Sequence, residues 1–122
     1  MKKTILVVDD FAGIREIVKK TLDRKDYNTL LASNAEEALR FFDGRHIHLL
    51  ITDYEMPGLN GPDLIREVRN LGGYDFMPVI ILSASPPTGK EDELQELNVT
   101  TWIQKPFDIR SFYSIVERYL KR

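Results

Sequence analysis

The sequence contains no cysteine. Disulfides, thiolate metal sites and cysteine nucleophiles are therefore excluded, and a reducing compartment is the natural setting. It also lacks an excess of charge of one sign: 17 Lys and Arg stand against 19 Asp and Glu, a net charge of -2. A general nucleic-acid binder is usually basic, so direct binding to nucleic acid is disfavoured. There is no apolar run approaching the roughly 20 residues that cross a bilayer. The run near the N-terminus is only Ile5–Val8, two aspartates follow at once, and no small-residue cleavage site appears. A secretory signal is thus a poor reading, and a cytoplasmic protein with no membrane partner is expected. Long Pro, Gly or Ser linkers are missing too. What remains is 122 residues, 43% hydrophobic and 30% charged, enough for one sizeable core and too few for two. The expectation is a single domain over 1–122 with no separate output domain.

Five short apolar runs organise the chain: Thr4–Val8, Tyr27–Ala32, His48–Thr52, Pro78–Leu82 and Thr101–Gln104. Most are continuous and rich in Val, Ile and Leu, the pattern of strands covered on both faces. Helical spacing fills the intervals. Ile14, Ile17, Val18 and Leu22 share one face, as do Ala35, Ala38, Leu39 and Phe42. Ser33 and Glu36 form a capping-box pattern before the second set. Pro62 suits the first turn of a helix carrying Leu64, Ile65, Val68 and Leu71. Asp108 is a candidate N-cap for a last helix with Ile109, Phe112, Val116 and Leu120. Between Gly89 and Asn98 only Leu94 and Leu97 are apolar, amid Glu91, Asp92, Glu93 and Glu96. That segment is expected to be weakly anchored, either simply solvated or a movable element. A β-α unit repeated five times specifies an α/β fold, a doubly wound open parallel five-stranded sheet.

In such sheets, ligands bind beyond the carboxyl ends of the strands. The residues that close the runs are Asp9 and Asp10, Asp53, Ser83, and Lys105 before Pro106. Three clustered carboxylates repel one another. With one ammonium they sum to a formal charge of about -2, which one divalent cation cancels. All-oxygen ligands with spare positions favour Mg²⁺, with Mn²⁺ possible. Lys105 and Ser83 are placed to hold phosphate oxygens. A carboxylate in this setting is a nucleophile toward phosphorus.

The ordered set Val7–Asp10 (VVDD), Ile51–Gly61 (ITDYEMPGLNG), Ile81–Ser85 (ILSAS) and Lys105–Phe107 (KPF) resembles the receiver domain of two-component response regulators, in particular the single-domain chemotaxis type, over essentially the whole chain. The resemblance implies the flavodoxin-like strand order 2-1-3-4-5. It implies Asp53 as phosphoacceptor, and Asp10, Asp53 and the backbone carbonyl of Glu55 as metal ligands, with Asp9 acting through water. It implies Lys105 and Ser83 on the phosphoryl group, Ser83 and Trp102 as switch residues, and a cis Lys105–Pro106 bond. Trp102 stands where the family usually has Tyr or Phe, and is open between a core and a switching role. Asn98–Val99 stands where Gly–Ala is frequent. Glu55 and Ser85 occupy positions that tune dephosphorylation in the family. The implied partners are a sensor histidine kinase or phosphotransfer protein and a separate downstream protein, met through helix 4, strand 5 and helix 5.

Other functions fit less well. Haloacid-dehalogenase-type phosphatases carry two aspartates one residue apart on the first strand, whereas here the pair is adjacent. Ser83 lacks the G-x-S-x-G turn of a hydrolase. No enzymatic turnover is expected beyond the chain's own phosphorylation and dephosphorylation. The alternative is a degenerate receiver, binding partners independently of phosphate. His46 and His48 are read as surface or edge residues.

Overall fold

A computed structural model describes residues 2–120. Strands and helices alternate: β1 (Thr4–Val8), α1 (Ala12–Arg24), β2 (Asn28–Ala32), α2 (Ala35–Leu39), β3 (Leu49–Asp53), α3 (Gly61–Asn70), β4 (Val79–Ser83), α4 (Glu91–Glu96), β5 (Thr101–Gln104) and α5 (Ile109–Leu120). The strands are parallel, in the order β2-β1-β3-β4-β5. The chain is therefore α/β, with the expected 2-1-3-4-5 order.

Side-chain alternation explains why the runs are apolar throughout. Ile5, Val7, Leu49, Ile51, Ile80 and Leu82 pack on one face with Val18, Leu22, Phe112 and Val116 of α1 and α5. Leu6, Val8, Leu50, Val79 and Ile81 pack on the other with Ala35, Ala38, Leu64, Ile65 and Val68 of α2 and α3. All of β3 and β4 is buried. β5 lies at the sheet edge and buries only Ile103.

Several local expectations shift. The cap of α2 is Asn34, whose side chain accepts from the Glu37 N–H at 2.8 Å, while Ser33 donates from its N–H and hydroxyl to the Glu37 carboxylate. The expected Ser33–Glu36 pairing is one residue early, because burying Ala35 and Ala38 sets the helix phase. Phe42 is buried but lies beyond the end of α2. Ile17 and Leu71, expected on buried faces, are 46% and 53% exposed. Only a narrow stripe of α1 reaches the sheet, and Leu71 is the C-cap of α3, past its buried turns. Elsewhere Asn60 and Asp63 form a reciprocal capping box with Pro62 in the first turn, and Asp108 accepts from the Ser111 N–H at 3.0 Å. The fourth helix is shorter than Gly89–Asn98. Both ends bend out of right-handed helix, with φ of 84° at Gly89 and 61° at Asn98. Asn tolerates that left-handed conformation, which explains how it stands in a place suited to glycine. His46 is exposed, and half-buried His48 accepts from the Thr4 N–H at the other end of the sheet from the acidic residues.

Candidate functional site: an acidic pocket at the carboxyl edge of the sheet

β1 ends at Val8, and the chain turns immediately. The Asp9 N–H donates to Ala32, the Asp9 side chain accepts from the Phe11 N–H at 3.0 Å, and Arg15 donates to the Asp9 carbonyl at 2.7 Å. This turn lets two consecutive aspartates reach one pocket, which a continuing strand would forbid. Carboxylate oxygens of Asp9, Asp10 and Asp53 all lie within 4.8 Å of one another. Asp9 and Asp53 are buried and Asp10 is exposed.

Lys105 follows β5 and reaches back over this edge. Its Nζ lies 2.9 Å from Asp9 Oδ2 and 3.4 Å from Asp53 Oδ2. The Lys105 N–H donates to the Ser83 carbonyl at 2.7 Å, and the Lys105–Pro106 peptide is cis. Burial raises the pKa of Asp53 to about 6; the charge of Asp9 adds to the rise and Lys105 opposes it. Burial alone would lower Lys105, but the hydrogen bond to Asp9 and the nearby carboxylates hold it above its ordinary value.

The backbone under Asp53 is pinned by a close approach. A Cβ at Gly61 would sit 2.4 Å from the Asp53 carbonyl oxygen and 3.1 Å from Tyr54 Cα. The Gly61 N–H also donates to the Tyr54 carbonyl at 2.8 Å. Glycine is required so that α3 can start against this strand end.

The remaining candidates are less central. Ser83 closes β4 beside β3, buried, and its Oγ accepts from the Ser85 N–H at 3.1 Å. Glu55 is exposed. Trp102 is half-buried on β5 and turned away from the carboxylates. Its indole N–H donates to the Ser85 carbonyl at 3.0 Å, and its ring packs 5.3 Å from that of Tyr54. Sequence reasoning passed over Tyr54 and Glu93, whose side chains meet at 3.0 Å. The signal was the position of Tyr54 directly after Asp53, where alternation turns it toward the opposite face.

Residues 5–117 match the family described as response regulator receiver domain. The chain belongs to that family. The Bacillus subtilis sporulation initiation phosphotransferase F is 30% identical over 98% of this receiver domain and 95% of its own length. The Pseudomonas aeruginosa chemotaxis protein CheY is 32% identical over 97% and 96%. Among solved structures, the response regulator TrrA of Thermotoga maritima in complex with Mg²⁺-BeF is 31% identical, covers 97% of this chain and 99% of its own, and has a TM-score of 0.83. The receiver is thus a two-component signalling module. No described helix is long and apolar enough to cross a membrane.

The donor set fits a hard divalent cation. It is all oxygen, it gathers three carboxylates of which two touch one ammonium, and burial followed by the charge of Asp9 disfavours the ionised form of Asp53.

Proposed function

We propose that this receiver accepts a phosphoryl group on Asp53 from a phosphohistidine of a kinase or phosphotransfer protein, in a Mg²⁺-dependent reaction, and thereby changes its affinity for a separate partner. The observation that carries this reading is the convergence of Asp9, Asp10, Asp53 and Lys105 from three strand ends into one pocket.

An Asp53 carboxylate oxygen attacks phosphorus, the P–O bond forms as the P–N bond breaks, and the imidazole nitrogen leaves with the bonding pair and takes a proton. Asp10, Asp53 and the Glu55 carbonyl would hold Mg²⁺ directly, and Asp9 would help through water. The ion would supply charge neutralisation for the oxygens of the transferred group. Lys105 donates to a phosphoryl oxygen, moving from the Asp9–Asp53 pair to the new charge of about -1.5 to -2. Ser83, whose hydroxyl hydrogen is free to turn, donates to another and draws its loop inward.

The readout face is α4, β5 and α5. α4 buries no residue, and the half-buried Trp102 faces it across the β4–α4 loop. The whole 1–122 segment acts as one receiver, in the cytoplasm, with the effect passed to a separate protein.

The test is intact-protein mass after incubation with a small phosphodonor, with and without Mg²⁺, on wild type and Asp53→Asn. One Mg²⁺-dependent phosphoryl adduct on wild type only is the expected result. A folded wild type that takes no phosphoryl group, from that donor or from a kinase, would overturn the reading in favour of phosphate-independent binding.

A further inference from the structure

Tyr54 sits on a backbone held from both sides. Its N–H donates to the Leu82 carbonyl at 2.9 Å, and its carbonyl accepts from Gly61 at 2.8 Å. Its side chain leaves the acidic pocket and reaches α4, where the hydroxyl donates to Glu93 Oε1 at 3.0 Å. Lys90, the residue before α4, places its ammonium 5.3 Å from the centre of the same ring. Arg66 of α3 lies 3.9 Å from the other Glu93 oxygen. Apart from these contacts α4 is held at its far end, where Leu97 is buried and Arg69 of α3 donates to the Leu97 and Asn98 carbonyls, while along its length the one apolar side chain, Leu94, is half-buried.

The segment that enters α4 is attached elsewhere. Ser83 closes β4, Ser85 is bonded to the Trp102 indole, and the chain then runs through Pro87 to Lys90. A pull on Ser83 therefore moves the loop and the start of α4, while Tyr54 stays with β3 and α3. The contact between Tyr54 and Glu93 lies across the boundary between the part that moves and the part that does not.

We propose that Tyr54 is a positioning residue for the switch: its hydroxyl latches Glu93 and holds α4 in the arrangement seen here until the β4–α4 loop is drawn toward Asp53. The inference rests on Asp53 as the phosphoacceptor. A hydrogen bond to a carboxylate is stronger than a neutral one, and this one is made only before α4 moves. Removing it favours the moved arrangement, and by linkage the affinity of Asp53 for a phosphoryl mimic rises by up to the same factor.

The experiment uses beryllofluoride with Mg²⁺ as the probe, titrated into wild type, Tyr54→Phe, Glu93→Ala and the double variant, with Asp53→Asn as a blank. Trp102 is the single tryptophan, and the midpoint of its fluorescence change is read rather than the amplitude. Hydrogen exchange of the α4 amides is measured without the probe. The expected result for Tyr54→Phe is faster exchange confined to α4 and a midpoint lower by about three- to tenfold, and the double variant matches Glu93→Ala alone, which also loses the exposed Arg66 pair. Thermal unfolding verifies that each variant is folded. Unchanged α4 exchange and an unchanged midpoint in folded Tyr54→Phe would overturn the latch. A wild type that ignores the probe while Tyr54→Phe still loosens α4 would overturn the acceptor reading, and the switching role with it.

Discussion

Lys105 Nζ lies 2.9 Å from Asp9 Oδ2, a contact between residues 96 positions apart, with the Asp9 side chain fully buried and Lys105 20% exposed. Removing the ammonium leaves a buried carboxylate beside the second one, on Asp53. Lys105→Met is expected to destabilise the metal-free protein by about 1–3 kcal/mol, less than for a fully buried pair because Lys105 reaches solvent. The same change lowers phosphoryl uptake at Asp53. Urea unfolding in chelator and adduct formation by mass check the two effects.

The pH dependence of the metal-free protein follows from Asp53. Its folded pKa of about 6 lies above the ordinary carboxylate value, chiefly through burial and then through Asp9. The folded state therefore holds the proton more tightly than the unfolded chain. Asp53 imposes no penalty below about pH 4. A penalty grows as pH rises toward 6 and is complete above it, on the order of 1–3 kcal/mol. Asp53→Asn is expected to be more stable than wild type at pH 7 by about that amount and to match it near pH 4. Unfolding midpoints across pH 4–8 in chelator decide the matter; parallel curves for the two proteins would refute it.

Mg²⁺ and protons compete for the same carboxylates. Added Mg²⁺ is expected to raise the thermal midpoint, with a larger effect at pH 8 than at pH 5. In Asp10→Asn and Asp53→Asn the Mg²⁺-dependent shift shrinks or disappears. Thermal scans with and without Mg²⁺ at the two pH values give the comparison.

Gly61→Ala places a methyl 2.4 Å from the Asp53 carbonyl oxygen, a backbone atom that no side-chain rotation can clear. The start of α3 must move away from β3. A loss of about 2–3 kcal/mol is expected, together with slower phosphorylation because Asp53 and Tyr54 share that backbone. An alanine variant as stable as wild type would show that the two segments can separate freely.

Arg69 donates to the carbonyls of Tyr74, Asp75, Met77, Leu97 and Asn98. It joins α3 to the loop before β4 and to the end of α4, and burial lowers its pKa. Arg69→Met keeps much of the apolar stem but leaves these carbonyls without their donor. The expected cost is about 2–4 kcal/mol by chemical denaturation, with the loss of protection centred on 74–77 and 97–98 in hydrogen exchange.

Much of this receiver could be read along the chain because the information is local. β1 and β5 have the bounds that the apolar runs predict, and the other three strands lie within a residue of them. A strand covered on both faces must be apolar throughout. Polar residues closing those runs mark the functional edge because the doubly wound topology sends every strand end to the same side. That is how Asp9, Asp10, Asp53 and Lys105 became candidates together.

Local pattern was less decisive where two choices differ by little energy. Ser33 and Asn34 are both good caps, and the burial of Ala35 and Ala38 selected Asn34. Ile17 fits an apolar stripe on α1, but the width of that stripe depends on how the helix rests on the sheet.

The sequence by itself determined the β-α alternation, the strand faces and the set of groups available for chemistry, since these follow from side-chain period and chain reversal over a few residues. Only the tertiary structure decided which groups meet: Lys105 with Asp9, Tyr54 with Glu93 across 39 positions, and Arg69 with five carbonyls of two loops. Such contacts join segments that pack side by side in the order β2-β1-β3-β4-β5. Their geometry depends on helix lengths, turn conformations and close approaches such as that of Gly61, which no local propensity encodes.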